Sequence, residues 1–173
     1  NLFGKFNLQN AEAARITCNK LGVLDENIIN SLKTFESVEG RTIKINYNDN
    51  EIVSGKTDNV DALKAVLEEE RFDILIIGTP RKYETCRYNI LDYINNYKPD
   101  TLIIFPGLED ITYDYVQYLN NIGYTKDMIV LKNIDDILNF INTKKGYKIF
   151  VGGNGQEKIT QITNILKEEK TFH

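Results

Sequence analysis

The sequence predicts an open α/β fold built on a mostly parallel sheet of about six strands, entered through a β-hairpin and preceded by two helices. Three observations predict it. First, four short runs are almost unbroken in Ile, Val, Leu and Phe: FDILIIG (72–78), TLIIFPG (101–107), DMIVL (127–131) and YKIFVGG (147–153). Runs of that kind belong to parallel strands covered on both faces rather than to strands with one wet face. Second, the stretches between them have helical period and are long enough to cross over between parallel strands, which predicts helices near 85–97, 110–122, 134–143 and 156–169. Third, TIKINYN, the turn residues Asp49 and Asn50, and then EIVSG read as a hairpin. Ligands of open α/β sheets usually sit beyond the carboxyl ends of the strands.

The first third of the chain reads differently. Residues 10–21 predict an Ala-rich helix closed by Gly22, and Asp25 predicts the cap of a second helix with Ile28, Ile29, Leu32 and Phe35 on one face. Two helices ahead of a hairpin-led sheet predict the tail of one domain, residues 1–39, joined through SVEGR to a second domain, residues 40–173.

Composition narrows the function. The 173 residues and 42% hydrophobic content suffice for a sizeable core. A net charge of -4 with Lys and Glu evenly mixed supplies no basic stripe for a nucleic-acid backbone. Cys18 and Cys86 lack metal or redox spacing and read as buried or half-buried thiols in a reducing cytoplasm. His173 is the sole histidine, which removes His-based zinc sites and catalysis through a His base from this chain. No apolar run approaches the roughly 18 residues of a membrane span, so no membrane span is expected, and with no His-based site and no evident Mg2+ carboxylate set, no metal is expected in this chain.

Four stretches carry candidate chemistry. GKFNLQNAEAA (4–14) places Asn7 and Asn10 three apart at a helix entrance, where two carboxamides offer the donors and acceptors that a base edge presents, or serve as helix cap and turn residue. SGKTDNVDAL (54–63) puts Lys56 and Asn59 between a strand and a helix start, placing Lys56 for a carboxylate or phosphate or leaving it as a solvated loop lysine. GTPRKYETCR (78–87) follows a strand with Arg81, Lys82 and Arg87, an anion site or an exposed basic loop. VGGNGQEK (151–158) offers Gly153 for close backbone approach and Glu157 for a substrate ammonium, or a tight turn with a water-facing glutamate; it is neither a full GxGxxG nor a phosphate loop with GK-S/T.

The order GKFNxxNxxAA, helix, LG, helix, SLxxFxxVxGR closely resembles the Mur ligase superfamily, which includes the peptidoglycan amino-acid ligases and folylpolyglutamate synthase. The resemblance rests on Gly4, Phe6, Asn7, Asn10, Ala13, Ala14, Leu21, Gly22, Ile29, Leu32, Phe35, Val38, Gly40 and Arg41. It implies that residues 1–39 close a central ATPase domain and that residues 40–173 form the Rossmann-like C-terminal domain. It further implies that Asn7 and Asn10 approach adenine and that Arg41 reaches the nucleotide from the hinge. SGKTDNVDAL is similar to the D-S-K-A-T-N-V element of the D-glutamate-adding ligase through Lys56, Asn59, Val60 and Ala62, with Ser54 or Gly55 in place of the leading acid. It also resembles the D-Y-A-H-T-P-D-A-L element of the diaminopimelate-adding ligase through Asp61, Ala62 and Leu63, without the His-Pro pair. Lys82 stands nearest to a lysine that holds the incoming amino acid's carboxylate, and Gly153, Gly155 and Glu157 match the G-K-G-H-E element with Gln156 at the histidine.

The activity implied is ATP-dependent joining of a carboxylate to an amino acid, glutamate first, through an acyl phosphate, with Lys56 as the catalytic candidate. ATP and Mg2+ are implied for a longer parent and none for this piece alone, because the chain carries no P-loop. The implied partners are the missing N-terminal and ATPase domains, an amino acid and a nucleotide- or lipid-linked acceptor. Two alternatives stand beside this reading. One is a degenerate, non-catalytic binding domain. The other is the ligase subunit of a lipid II isoglutaminyl synthase working with a glutaminase, which residues 107–124 resemble through Gly107, Asp110 or Asp114, Leu119 and Gly123.

Overall fold

The computed structural model describes residues 3–35 and 41–169. Val38, Gly40, His173 and the expected domain boundary lie outside the described residues. Six strands form one sheet in the order β1-β2-β6-β3-β4-β5. β1 (Ile43–Tyr47) runs antiparallel to β2 (Asn50–Ser54), and every other neighbouring pair is parallel: β2 with β6 (Lys148–Gly153), β6 with β3 (Ile74–Gly78), β3 with β4 (Thr101–Phe105) and β4 with β5 (Asp127–Val130).

Both faces of the sheet are covered, which is why the strands read as continuous apolar runs. On one face Leu75, Ile77, Leu102, Ile104 and Phe150 pack against α3 (Val60–Leu67), α4 (Asn89–Tyr97) and α5 (Thr112–Asn121). On the other, Ile74, Ile76, Ile103, Ile149 and Val151 pack against α6 (Ile134–Asn142) and α7 (Gln156–Glu169). Burying a Leu or Ile side chain contributes roughly 1.5–3 kcal/mol, so these two layers hold the domain together.

The hairpin turn falls one residue earlier than the sequence reading placed it. Tyr47 pairs with Asn50, so Asn48 and Asp49 are the turn, with φ of 47° and 61°. Two successive positive φ angles suit Asn and Asp, whose short polar side chains tolerate that conformation. Asn50 instead joins β2 and is buried, accepting from the Tyr147 amide at 3.0 Å and donating to the Lys144 carbonyl at 2.8 Å. It ties the hairpin to the segment leading into β6.

α1 spans Lys5–Lys20, beginning five residues ahead of the expected start, with Gly4 at its N-cap at φ 94°. Asn7 and Asn10 therefore lie within its first two turns rather than capping it. Gly22, at φ 85°, closes the helix, and the Val23 amide returns to the Cys18 carbonyl at 3.0 Å. α2 (Asp25–Thr34) starts at Asp25 without a side-chain cap. Asp25 is engaged elsewhere: Asn19 donates to it at 2.8 Å and Arg15 at 3.0 Å. Those donors, Asn19 first, hold its carboxyl below the ordinary range. Cys18 is half-buried and Cys86 is exposed, a more open setting for Cys86 than its spacing suggested.

Candidate functional site

The chain reverses face between β3, whose helix α4 covers one side, and β6, whose helix α7 covers the other. Open sheets usually leave a ligand crevice at such a reversal. Here the protein's own backbone fills it. The Asn154 amide donates to the Gly78 carbonyl at 3.0 Å, and the Leu108 amide donates to the Thr79 carbonyl at 2.8 Å. A Cβ on Gly107 would lie 2.6 Å from the Asn154 carbonyl oxygen, and one on Gly155 would lie 2.6 Å from the Gly107 Cα. Glycine at these positions is what allows three strand-end loops to touch.

The open space lies one strand over, at the carboxyl end of β2, between the sheet domain and the helix pair α1–α2. It is a cavity of about 820 Å³ whose polar lining includes Asn7 and Asn10 of α1, Arg41 at the entry to β1, Lys56 to Asn59 in the β2–α3 loop, and Gln156 at the start of α7. Its apolar wall includes Phe6, Leu32, Phe35 and Val66. Five of the residues singled out from the sequence, Asn7, Asn10, Arg41, Lys56 and Asn59, therefore share one cavity.

Local chemistry explains how each is held. Asn7 donates its Nδ2 to the Phe3 carbonyl at 2.6 Å, which leaves Oδ1 as its acceptor. Gly55 permits close packing of the β2–α3 loop, because a Cβ there would stand 2.5 Å from the Thr42 Cα. Thr57, which is buried, pins the loop from below: its hydroxyl accepts from the Gly153 amide at 2.9 Å and its own amide donates to the Gly153 carbonyl at 3.2 Å. Lys56 and Asp58 flank that anchor and pair with each other, Nζ to Oδ2, at 3.1 Å. Asn59 caps α3, its Oδ1 accepting from the Ala62 amide at 2.9 Å. It lines the cavity with its acceptor already engaged.

The remaining predicted residues lie elsewhere. Arg81 and Lys82 are exposed on the loop after β3, where Arg81 pairs with Glu84 at 3.5 Å and the Lys82 amide donates to Glu109 at 3.0 Å. Glu157 is exposed in the first turn of α7. Gly153 is buried, with its amide taken by Thr57. Of the residues behind the isoglutaminyl synthase resemblance, Asp110 binds Lys132 at 2.8 Å, Leu119 is buried and Gly123 ends α5 at φ 78°.

Sequence reasoning did not single out Thr57, Asp58 or Gln156 as site residues, and it took Arg87 only as one cation of a loop. The available signal was topological. Once β2 is placed beside β6, the loops after both strands must meet, and Thr57 and Gln156 fall at that meeting. Among the described residues no group of three or more His, Cys, Asp or Glu is arranged to hold a metal ion, and no helix is long and apolar enough to cross a membrane.

No family model matches the sequence. The chain is 26% identical over 171 residues to the UDP-N-acetylmuramoylalanine--D-glutamate ligase of Lawsonia intracellularis, a match covering 87% of this chain and 39% of that protein. It is 35% identical over 120 residues to the UDP-N-acetylmuramoyl-L-alanyl-D-glutamate--L-lysine ligase of Streptococcus agalactiae, covering 63% of this chain and 24% of that protein. The chain thus spans well under half the length of these relatives. Among solved structures, the UDP-N-acetylmuramate-alanine ligase MurC of Thermotoga maritima aligns with a TM-score of 0.70 at 14% identity, covering 99% of this chain and 39% of that one. The MurF ligase of Thermotoga maritima in complex with ADP aligns with a TM-score of 0.67 at 16% identity, covering 99% and 40%. Taken together, the chain is similar in sequence to parts of two Mur ligases and shares its fold with part of the MurC and MurF structures.

Proposed function

We propose that this chain is the C-terminal, amino-acid-binding part of an ATP-dependent carboxylate–amine ligase, with residues 1–39 ending the ATPase domain and residues 40–173 forming the closing domain. The observation that carries the reading is the convergence of Asn7, Asn10, Arg41 and Lys56 on one cavity between the helix pair and the sheet domain. The donor set fits an adenine nucleotide: carboxamides for a base edge, apolar walls for its faces, and two cations for ribose and phosphate oxygens. The nucleotide would supply a phosphoryl group to activate a carboxylate. This chain's residues would hold and orient it, and domain closure would exclude water.

The reading also accounts for α1, which has no buried residue and leaves Leu8 and Ile16 exposed at 71 and 47%, and for the turn after it, where Leu21 and Leu24 are exposed at 79 and 70%. A helix of this kind gains its stability by packing an apolar stripe on something else. The remainder of the ATPase domain is the proposed cover. Arg81 and Lys82, exposed after β3, and Glu157, exposed at the start of α7, would receive an incoming amino acid through its carboxylates and ammonium. Glutamate is the proposed substrate, the acceptor a peptidoglycan precursor, and the location cytoplasmic. Alone, the chain is expected to bind no nucleotide and catalyse nothing.

The test is an amino-acid-dependent phosphate-release screen on the longer chain that carries this domain, with Lys56→Ala and Arg41→Ala beside the wild type. Release stimulated by one amino acid and lost in both variants supports the ligase. A longer chain with no phosphate loop ahead of residue 1, or variants as active as the wild type, would sink it. In the first case the domain is a non-catalytic binding module.

A further inference from the structure

Arg87 sits on the single turn of 3-10 helix after β3, Thr85–Tyr88, and reaches back across the carboxyl edge to the β2–α3 loop. Its Nη1 donates to the Asp58 carbonyl, and its Nη2 lies 3.8 Å from Asp58 Oδ2. The same Oδ2 is 3.1 Å from Lys56 Nζ. One carboxylate oxygen is therefore shared by a cation beside the cavity and a cation behind it. The two differ in setting. The Lys56 side chain is 41% exposed and lines the cavity, whereas the Arg87 side chain is 27% exposed and does not. The Arg87 Nε is buried with no hydrogen-bond partner among the described residues, a cost that its placement against Asp58 must offset.

They also differ in chemistry. Arg87 is a planar fork bound to both the backbone and the side chain of Asp58, so it stays when the carboxylate's other partner leaves. Lys56 is a compact charge on a flexible stem and can change partners. A lysine paired with an unshared carboxylate must surrender the whole attraction to turn toward a ligand anion. When a second cation already shares that carboxylate, it surrenders less.

We infer that Arg87 is a positioning residue that keeps Lys56 releasable: Asp58 parks the ammonium at the cavity wall, and Arg87 weakens the parking so that the ammonium transfers to a phosphoryl group of the bound nucleotide. The identity of that ligand rests on the proposed function; the sharing of Asp58 does not. Arg87 acts through Asp58 and has no contact with the ligand.

The test is direct ATP binding to the longer ligase chain, with thermal melting run on each variant. Arg87→Met raises the Kd for ATP by about 5- to 20-fold, and Asp58→Asn alone leaves it within about twofold or lowers it. The double variant returns to within about threefold of the wild type, because Lys56 no longer has a carboxylate to leave. If Arg87→Met fails to fold, Arg87→Gln carries the same cycle, since it removes the charge and keeps a donor for the Asp58 carbonyl. An unchanged Kd in the Arg87 variant overturns the inference. So does a double variant as weak as the single, because an arginine that merely braced the loop through the Asp58 carbonyl would not be rescued at the Asp58 side chain. A wild-type chain that does not bind ATP is a different result: it overturns the nucleotide reading, and this inference with it.

Discussion

Gly78 and Asn154 meet backbone to backbone at the end of β3, the Asn154 amide donating to the Gly78 carbonyl at 3.0 Å while the Asn154 carbonyl oxygen occupies the space a Cβ on Gly78 would need. The contact closes the centre of the carboxyl edge and displaces the cavity toward β2. Gly78→Ala would also press on the Phe105 ring, with Cβ 2.8 Å from its Cζ. Backbone cannot yield as a flexible side chain can, so the substitution is expected to cost roughly 1–3 kcal/mol. Urea unfolding would report this as a lowered midpoint at unchanged slope. Gly123→Ala makes a control, since a Cβ there meets nothing within 4 Å and only its φ of 78° opposes the change, by about 1–2 kcal/mol.

Tyr124 and Tyr115 predict an alkaline limit to stability. Both hydroxyls are buried without a hydrogen-bond partner among the described residues. Burial, reinforced by the Asp127 charge, pushes the Tyr124 hydroxyl up to about 12, and burial pushes Tyr115 up further. A raised folded-state pKa leaves stability intact below the unfolded value near 10 and removes it as pH rises toward the folded value. Chemical denaturation between pH 9 and 12 should show a fall to which Tyr124 contributes up to about 3 kcal/mol. Tyr124→Phe should remove that share. At pH 7 Tyr124→Phe and Tyr115→Phe should match or exceed the wild type in Tm, since each deletes a desolvated hydroxyl that makes no bond. A large loss in Tm would mean that the hydroxyls have partners in solution.

Asp110 predicts a smaller acid effect of opposite sense. Lys132 binds both of its oxygens, at 2.9 and 2.8 Å, and the Thr112 hydroxyl donates at 2.7 Å. These donors, Lys132 first, hold its carboxyl below the ordinary range. A depressed folded pKa contributes stability above the unfolded value near 3.9 and loses it as pH falls through the folded value. The Asp110 and Lys132 side chains are 51% and 55% exposed, so solvent screening limits the contribution to under about 1 kcal/mol. Asp110→Asn should lower Tm at pH 6, and the difference from the wild type should shrink as pH falls through the lowered folded value.

The strands, the crossover helices and the parallel order were legible because burial on both sheet faces writes itself into runs such as ILIIG and TLIIF. The start of α1 was not, because its N-cap is a glycine at positive φ with no capping side chain, leaving no Ser, Thr or Asp signal ahead of Lys5. The turn at Asn48–Asp49 slipped by one residue because Asn48, Asp49 and Asn50 all suit a turn, and only the burial of Asn50 against Tyr147 and Lys144 separates them. The same limit applies at the site. Lys56 could be picked out from its loop, but its sharing of Asp58 with Arg87 depends on residues 29 apart that meet only when β2 and β3 flank β6.

Asn7 should discriminate between bases on the ligase reading. One of the two Nδ2 hydrogens is committed to the Phe3 carbonyl at 2.6 Å, which holds the carboxamide at the cavity wall with Oδ1 as its acceptor. An acceptor matches the exocyclic amine of adenine and faces the carbonyl of guanine unfavourably. In the longer chain, Asn7→Ala should weaken ATP binding by roughly 3- to 10-fold, the worth of one hydrogen bond, while leaving GTP binding nearly unchanged. The ratio of the two affinities should therefore narrow in the variant. Competition between ATP and GTP for the longer chain measures it directly. A variant that loses both nucleotides equally would assign Asn7 to the folding of the α1 entry through Phe3, and a variant that loses neither would remove it from the site.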